Sequence, residues 1–253
     1  LQSIARNDLG IAQPNEAEAQ RLFAAFAPVI QVRTASDADR LGAPVWDAQN
    51  QIAIDTARPV VYQLLSHTRY ANEILLQLNY VFWFPARPKS GSFDLLGGKL
   101  DGLTWRVTLA RDGTPLLYDT IHNCGCYHQF FPGTRLQAKP DTGCGEAAFV
   151  PYNAPALLPS TRVHLGIDAT THYLFRVAAG PASAPATVSY TFANYDQLRS
   201  LPRADGSHRS LFGTNGIIAG SERGERFLFW PMGIESAGAM RQWGRHATAF
   251  IGR

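Results

Sequence analysis

Residues Ile121 to Phe131 read IHNCGCYHQFF, and four of them, His122, Cys124, Cys126 and His128, stand at strict two-residue spacing. Imidazole and thiolate are the usual ligands of zinc, and copper takes the same pair. On an extended strand alternate side chains share a face about 6.5–7 Å apart, while zinc–ligand bonds run about 2.0–2.3 Å. Neighbouring members of the set can reach one ion. All four can do so only if the backbone bends, and Gly125 permits a bulge or turn. His67 and Glu73, in SHTRYANE, offer an imidazole and a carboxylate across a turn. They would complete a metal site or act on a metal-bound water as general base.

Two other chemistries fit the same residues. Cys144, in TGCGE, can pair with Cys124 or Cys126 as a disulfide, leaving one thiol and two ordinary histidines. Alternatively one cysteine is a nucleophile, with His122 or His128 as base and Asp119 orienting it. The chain has no His-Glu-x-x-His, no Cys-x-x-Cys, no G-x-S-x-G and no strand-then-glycine-rich phosphate loop. The expected function is a metal-dependent enzyme, with zinc or copper at His122, Cys124, Cys126 and His128, acting as a hydrolase or a copper oxidoreductase. A non-enzymatic, disulfide-stapled binding or assembly domain is the first alternative, and a cysteine-nucleophile enzyme the second.

The elements that hold these residues are mostly strands. GLTWRVTLA alternates, with Leu103, Trp105, Val107 and Leu109 on one face, and Asp112-Gly113 suits a two-residue type I′ turn into PLLYDTIH. That register sets Leu109 opposite Leu116, Val107 opposite Tyr118, Trp105 opposite Thr120 and Leu103 opposite His122. Opposite residues share a face, so the core face runs on into His122 and, on a straight strand, into Cys124, Cys126 and His128. VVYQLLSHTRY and EILLQLNYVFWF form two strands around Ala71-Asn72, the second apolar on both faces and so central. RVHLGIDATTHYLFRVA is a further hairpin, which sets His164 and His172 either side of its turn. Asn15 caps a helix that Pro28 ends. FLFW reads as a strand and IESAGAMRQWGRHATAF as a closing helix. The fold class is mainly β (α+β): an antiparallel sheet or sandwich built from hairpins, with an N-terminal and a C-terminal helix.

Composition sets the frame. The 253 residues form one β-rich domain, 1–253, with an N-terminal helical segment at 1–29 and a surface linker at 181–187. Charged residues make up 17%, against roughly 25% in typical soluble proteins. Such a surface is partly apolar and points to a protein partner or a membrane surface. The net charge is +3 and no Lys/Arg run is dense enough to track phosphates, which argues against nucleic acid. No apolar run reaches the length of a transmembrane helix. The start at Leu1 fits removal of a leader, and the three cysteines fit either setting: one disulfide and one thiol if exported, or thiols and a metal if cytosolic. The expected location is periplasmic, envelope-associated or secreted, with a small molecule or a protein as substrate.

Overall fold

The structure, a computed structural model, describes residues 1–137, 147–181 and 188–246. The first element is α1 (Glu16–Ala25). Asn15 accepts from the Glu18 N–H while the Glu18 carboxylate accepts from the Asn15 N–H, a reciprocal cap that satisfies two end donors. The helix buries Phe23 edge-on against Tyr80, whose hydroxyl donates to the Phe23 carbonyl.

The strands follow in chain order. They are β1 (Val29–Val32), β2 (Ala43–Trp46), β3 (Ile52–Asp55), β4 (Val60–Tyr70), β5 (Glu73–Arg87) and β6 (Gly98–Leu109), then β7 (Pro115–His122) and β8 (Gln129–Pro132). After them come β9 (Thr161–Ile167), β10 (Leu174–Pro181), β11 (Thr191–Asn194), β12 (Leu201–Pro202) and β13 (His208–Arg209). The main sheet has the order β11-β4-β5-β6-β7-β8, and only its β11–β4 pair is parallel. A second sheet, β1-β9-β10, packs on one face of it. Between the two lie Leu78, Tyr80, Phe82, Leu103, Trp105 and Val107 from the large sheet and Ile30, Leu165 and Ile167 from the small one. On the other face Val81, Trp83 and Leu100 pack against Tyr195, Leu198, Phe212 and Met240 from the late part of the chain. The strand β5 is therefore buried on both sides, as its uninterrupted apolar run predicts.

The β6–β7 register is the expected one at three of its four pairs: Leu103 with His122, Trp105 with Thr120 and Val107 with Tyr118. The fourth differs, because Leu109 pairs with Pro115. The turn explains it. Gly113 alone takes a left-handed φ, of 90°, and Ala110 and Thr114 close the loop. This is a three-residue loop with a glycine bulge, not the two-residue type I′ turn, which requires positive φ at both central residues.

Three further expectations meet correction or fall outside. No C-terminal helix closes the chain within the described residues: 234–246 is a succession of turns and a bridge between Ile217 and Arg241. Its glycines Gly238 and Gly244 hold positive φ, which a helix does not accommodate. FLFW is not a strand but the single turn α2 (Arg226–Phe229) and its continuation, with Phe227, Leu228 and Trp230 exposed. The linker expected at 181–187 lies outside the described residues apart from Pro181, the last residue of β10. Among the described residues no helix is long and apolar enough to cross a membrane.

Candidate dithiol site

The strand β7 stops at His122, and there the chain reverses. The Gly125 N–H donates to the His122 carbonyl at 2.7 Å, and the His122 N–H donates to the Cys126 carbonyl at 3.0 Å. Gly125, at φ 96°, makes the reversal possible. Asn123 fixes it to the sheet: its N–H donates to the Gly102 carbonyl at 2.8 Å and its Oδ1 accepts from the Thr104 hydroxyl at 2.8 Å. Gly102 must lack a side chain, since a Cβ there would lie 2.2 Å from the Asn123 amide nitrogen.

The reversal gathers His122, Cys124 and Cys126 around one small cavity of about 30 Å³ at the end of the large sheet. Both cysteines are free thiols and line the same cavity two residues apart. Cys124 is buried and Cys126 only partly so. The neighbouring Cys126 thiol and burial push the Cys124 thiol well up, whereas the Cys124 thiol lowers Cys126, outweighing its own burial. The Arg87 guanidinium adds to the lowering, and Glu225 opposes it. Arg223 donates through Nη1 to the Lys99 carbonyl and through Nη2 to the Leu100 carbonyl, clamping the strand that carries Asp101.

Behind the thiols runs a buried chain of acids and imidazoles. Asp101 Oδ1 lies 3.5 Å from His122 Nδ1, and its Oδ2 lies 2.8 Å from His172 Nδ1. His172 Nε2 in turn lies 3.3 Å from Asp39. Burial opposes ionisation of Asp101, but the hydrogen bonds to His122 and His172 hold its carboxyl far below the usual range. Asp39 is also held low, because backbone N–H groups of Thr170, Ala35 and Ser36 outweigh its burial. His172 stacks flat on Phe84 at 3.9 Å. Leu100, Tyr127 and His172 all adopt left-handed φ, and each lies in or beside this cluster. Non-glycine residues in that region cost about 1–3 kcal/mol each and gather at functional sites.

His128 does not join the site. It falls on the other side of the reversal, next to Gln129, which pairs with Thr120. Its Nε2 meets Asp119 at 2.8 Å, and Asp119 accepts two further bonds from Arg106, at 2.9 and 2.5 Å. Asp119 and Arg106 pair across β7 and β6 one residue out of phase with His122 and Leu103, so they occupy the opposite sheet face. A straight strand would have kept all four ligands together; the turn at Gly125 divides them. Nor do His67 and Glu73 approach the cluster. His67 pairs with Leu76 and Glu73 with Tyr70, so the hairpin does not set them opposite one another. Leu76 pairs with Leu109, six residues along β6 from Leu103, or about 20 Å from His122. His67 Nε2 bonds the Ala12 carbonyl, and Glu73 meets Arg111 at 3.6 Å. Cys144 lies outside the described residues. His164 and His172 are not partners either: His164 pairs with Val29 and Ala178, while His172 turns into the acid–imidazole chain.

Among the described residues no three His, Cys, Asp or Glu side chains stand as a ready metal-binding group. One atom remains unsatisfied at the cavity, His122 Nε2, buried without a hydrogen-bond partner. Asp101, Asp39, Arg87 and Arg223 are the site residues that motif reading misses. Asp101 had a signal: it continues the face of Leu103, Trp105 and Val107, where a carboxylate must find partners. The other three had none, because they arrive from distant parts of the chain.

No protein-family model matches the chain, and no curated protein matches it. Among solved structures, a crystal structure of a triple mutant of NLPPya is similar at 16% identity and a TM-score of 0.37, covering 73% of this chain and 77% of that one. A structure described as "Toxin fold for microbial attack and plant defense" is similar at 14% identity and a TM-score of 0.37, covering 84% and 95%.

Proposed function

We propose that Cys124 and Cys126 form a redox-active dithiol that exchanges with disulfides, and that this is the protein's chemistry. The observation that carries the reading is two free thiols of unequal burial, two residues apart, lining one cavity. Cys126 is the attacking sulfur, being the more exposed and the more acidic; the thiolate is the nucleophile. It attacks one sulfur of a substrate disulfide, forms a mixed disulfide and expels the other sulfur as a thiolate, which takes a proton from water. Cys124 then attacks the Cys126 sulfur and expels the second substrate thiolate. The substrate gains two electrons and the protein is left with a Cys124–Cys126 disulfide. The proton of Cys124 goes to His122 Nε2, which has no other partner, while Asp101 holds the opposite ring nitrogen.

A disulfide bridging a single glycine is constrained, and constrained disulfides are the labile ones. The test is titration with oxidised and reduced glutathione, followed by intact mass and peptide mapping. The expected product is an internal Cys124–Cys126 bond, with Cys124→Ser arrested as a Cys126 mixed disulfide. Equal glutathionylation of both single-serine variants would refute the order of attack. Failure to form the internal bond would refute the dithiol itself. A periplasmic, envelope-associated or secreted location belongs to the same proposal, since such compartments supply disulfides.

The orphaned His122 Nε2 favours a second reading, in which zinc or copper is held by His122, Cys124 and Cys126. His128 has no part in it. Elemental analysis of protein purified without a His-tag separates the two: stoichiometric metal that blocks alkylation of both thiols would favour this reading over the dithiol.

A further inference from the structure

The face of the large sheet that carries Arg106 and Asp119 holds a second cavity, of about 420 Å³, which shares no lining residue with the thiol cavity. That volume suits a small molecule. Its walls are mixed: Leu75, Phe130 and Trp243 give it an apolar body, and Arg106 and His128 a polar floor. Arg106 is largely buried and directs Nε and Nη2 to Asp119. Among the described residues its Nη1 donates no hydrogen bond. His128 Nδ1 is also buried and unpartnered, on a side chain only 10% exposed. A buried polar atom without a partner is costly, so His128 Nδ1, beside the Arg106 guanidinium at the wall of a roomy cavity, points to a missing group.

The charges narrow that group. Arg69 and Arg106 line the cavity against one acid, Asp119. Beside the imidazoles His128 and His246, the surplus of permanent charge is a single positive one, which suits a monoanion and leaves a dianion such as phosphate under-neutralised beside Asp119. We infer that this cavity binds a small monocarboxylate with an apolar body, its head at Arg106 and its tail against Leu75, Phe130 and Trp243. The inference is independent of the dithiol reading, which uses a separate set of residues.

Calorimetric titration with octanoate, octanol and acetate tests it, with Trp243 fluorescence as a second readout. Octanoate should bind at least about tenfold more tightly than octanol, which lacks the head, and than acetate, which lacks the tail. Arg106→Gln should abolish the preference for octanoate over octanol. If that variant does not fold, Thr68→Trp serves, because it fills the cavity from an edge of the sheet without touching the Arg106–Asp119 pair. It should remove octanoate binding and leave glutathione exchange at Cys126 intact. No octanoate binding, equal binding of octanol, or octanoate binding unaffected by Thr68→Trp would each overturn the inference.

Discussion

Two clusters flank the same short stretch of chain, and each joins a buried aspartate to a histidine. At one end of β7, Asp101 meets His122 and two thiols around a cavity of about 30 Å³. On the other face, Asp119 meets His128 and Arg106 beneath a cavity of about 420 Å³. The acids differ in what compensates them. Asp119 has a permanent cation in bidentate contact, so its charge is fixed. Asp101 accepts from the Gly102 N–H and has no guanidinium in direct ion-pair contact; its facing partners are imidazoles, whose charge depends on protonation, so its cluster is suited to moving protons. The small cavity admits little more than the reacting atoms, while the large one admits a whole ligand.

The sharpest way to break this contrast is to remove one acid. Asp119→Ala leaves Arg106 buried without its partner and should cost about 3–5 kcal/mol in urea denaturation. A cost below about 1 kcal/mol would show that water compensates Arg106 and that the face is open. Next, Gly102→Ala forces Asn123 from its place and loosens the turn that presents the thiols. It should cost about 1–3 kcal/mol and equalise the alkylation rates of Cys124 and Cys126. Unchanged rates would mean that the turn holds without Asn123.

The pH dependence separates the faces further. His246 lines the large cavity, and burial, with Arg106, His128 and Arg241 nearby, lowers it to about 4 from 6.5. Its contribution to stability is full above pH 6.5, where both states are neutral. It declines as pH falls towards 4, because only the unfolded chain then takes up the proton, and levels off below that. The loss is on the order of 3 kcal/mol, and His246→Phe should remove it from melts recorded across this range. Asp101 and Asp119, both held low, behave in the same sense at lower pH: their stabilisation is complete above about pH 4 and is lost as acid protonates them in the folded state. The smallest effect is expected at exposed positions. Glu73→Gln and His208→Ala should each stay within about 0.5 kcal/mol, whereas His122→Ala, deep in the small cluster, should exceed both. Equal melting shifts for His122→Ala and His208→Ala would contradict the burial of His122.

The strands and their faces were legible because alternation is local. The β4–β5 hairpin around Ala71-Asn72 follows from its own two apolar segments, and three β6–β7 pairs follow from the alternation of Leu103, Trp105 and Val107. The closing helix was misread because small residues in IESAGAMRQWGRHATAF permit helix and turn alike, and Gly238 and Gly244 decided for turns. The density of ligand types in HNCGCYH drew attention to the turn where His122, Cys124 and Cys126 line one cavity. His128 lines the other cavity because one residue of reversal changes the face of everything beyond it.

By itself, then, the sequence determined the β-rich class, the inward placement of His122 and the closeness of Cys124 to Cys126, since each depends on neighbours within a few residues. Only the tertiary structure decided that Asp101, His172 and Asp39 stand behind the thiols, that His128 serves a different cavity, and that His67 and Glu73 serve neither. Those outcomes depend on which strands pair and where the chain turns, and such contacts join residues as far apart as Asp39 and His172, whose spacing leaves no local trace.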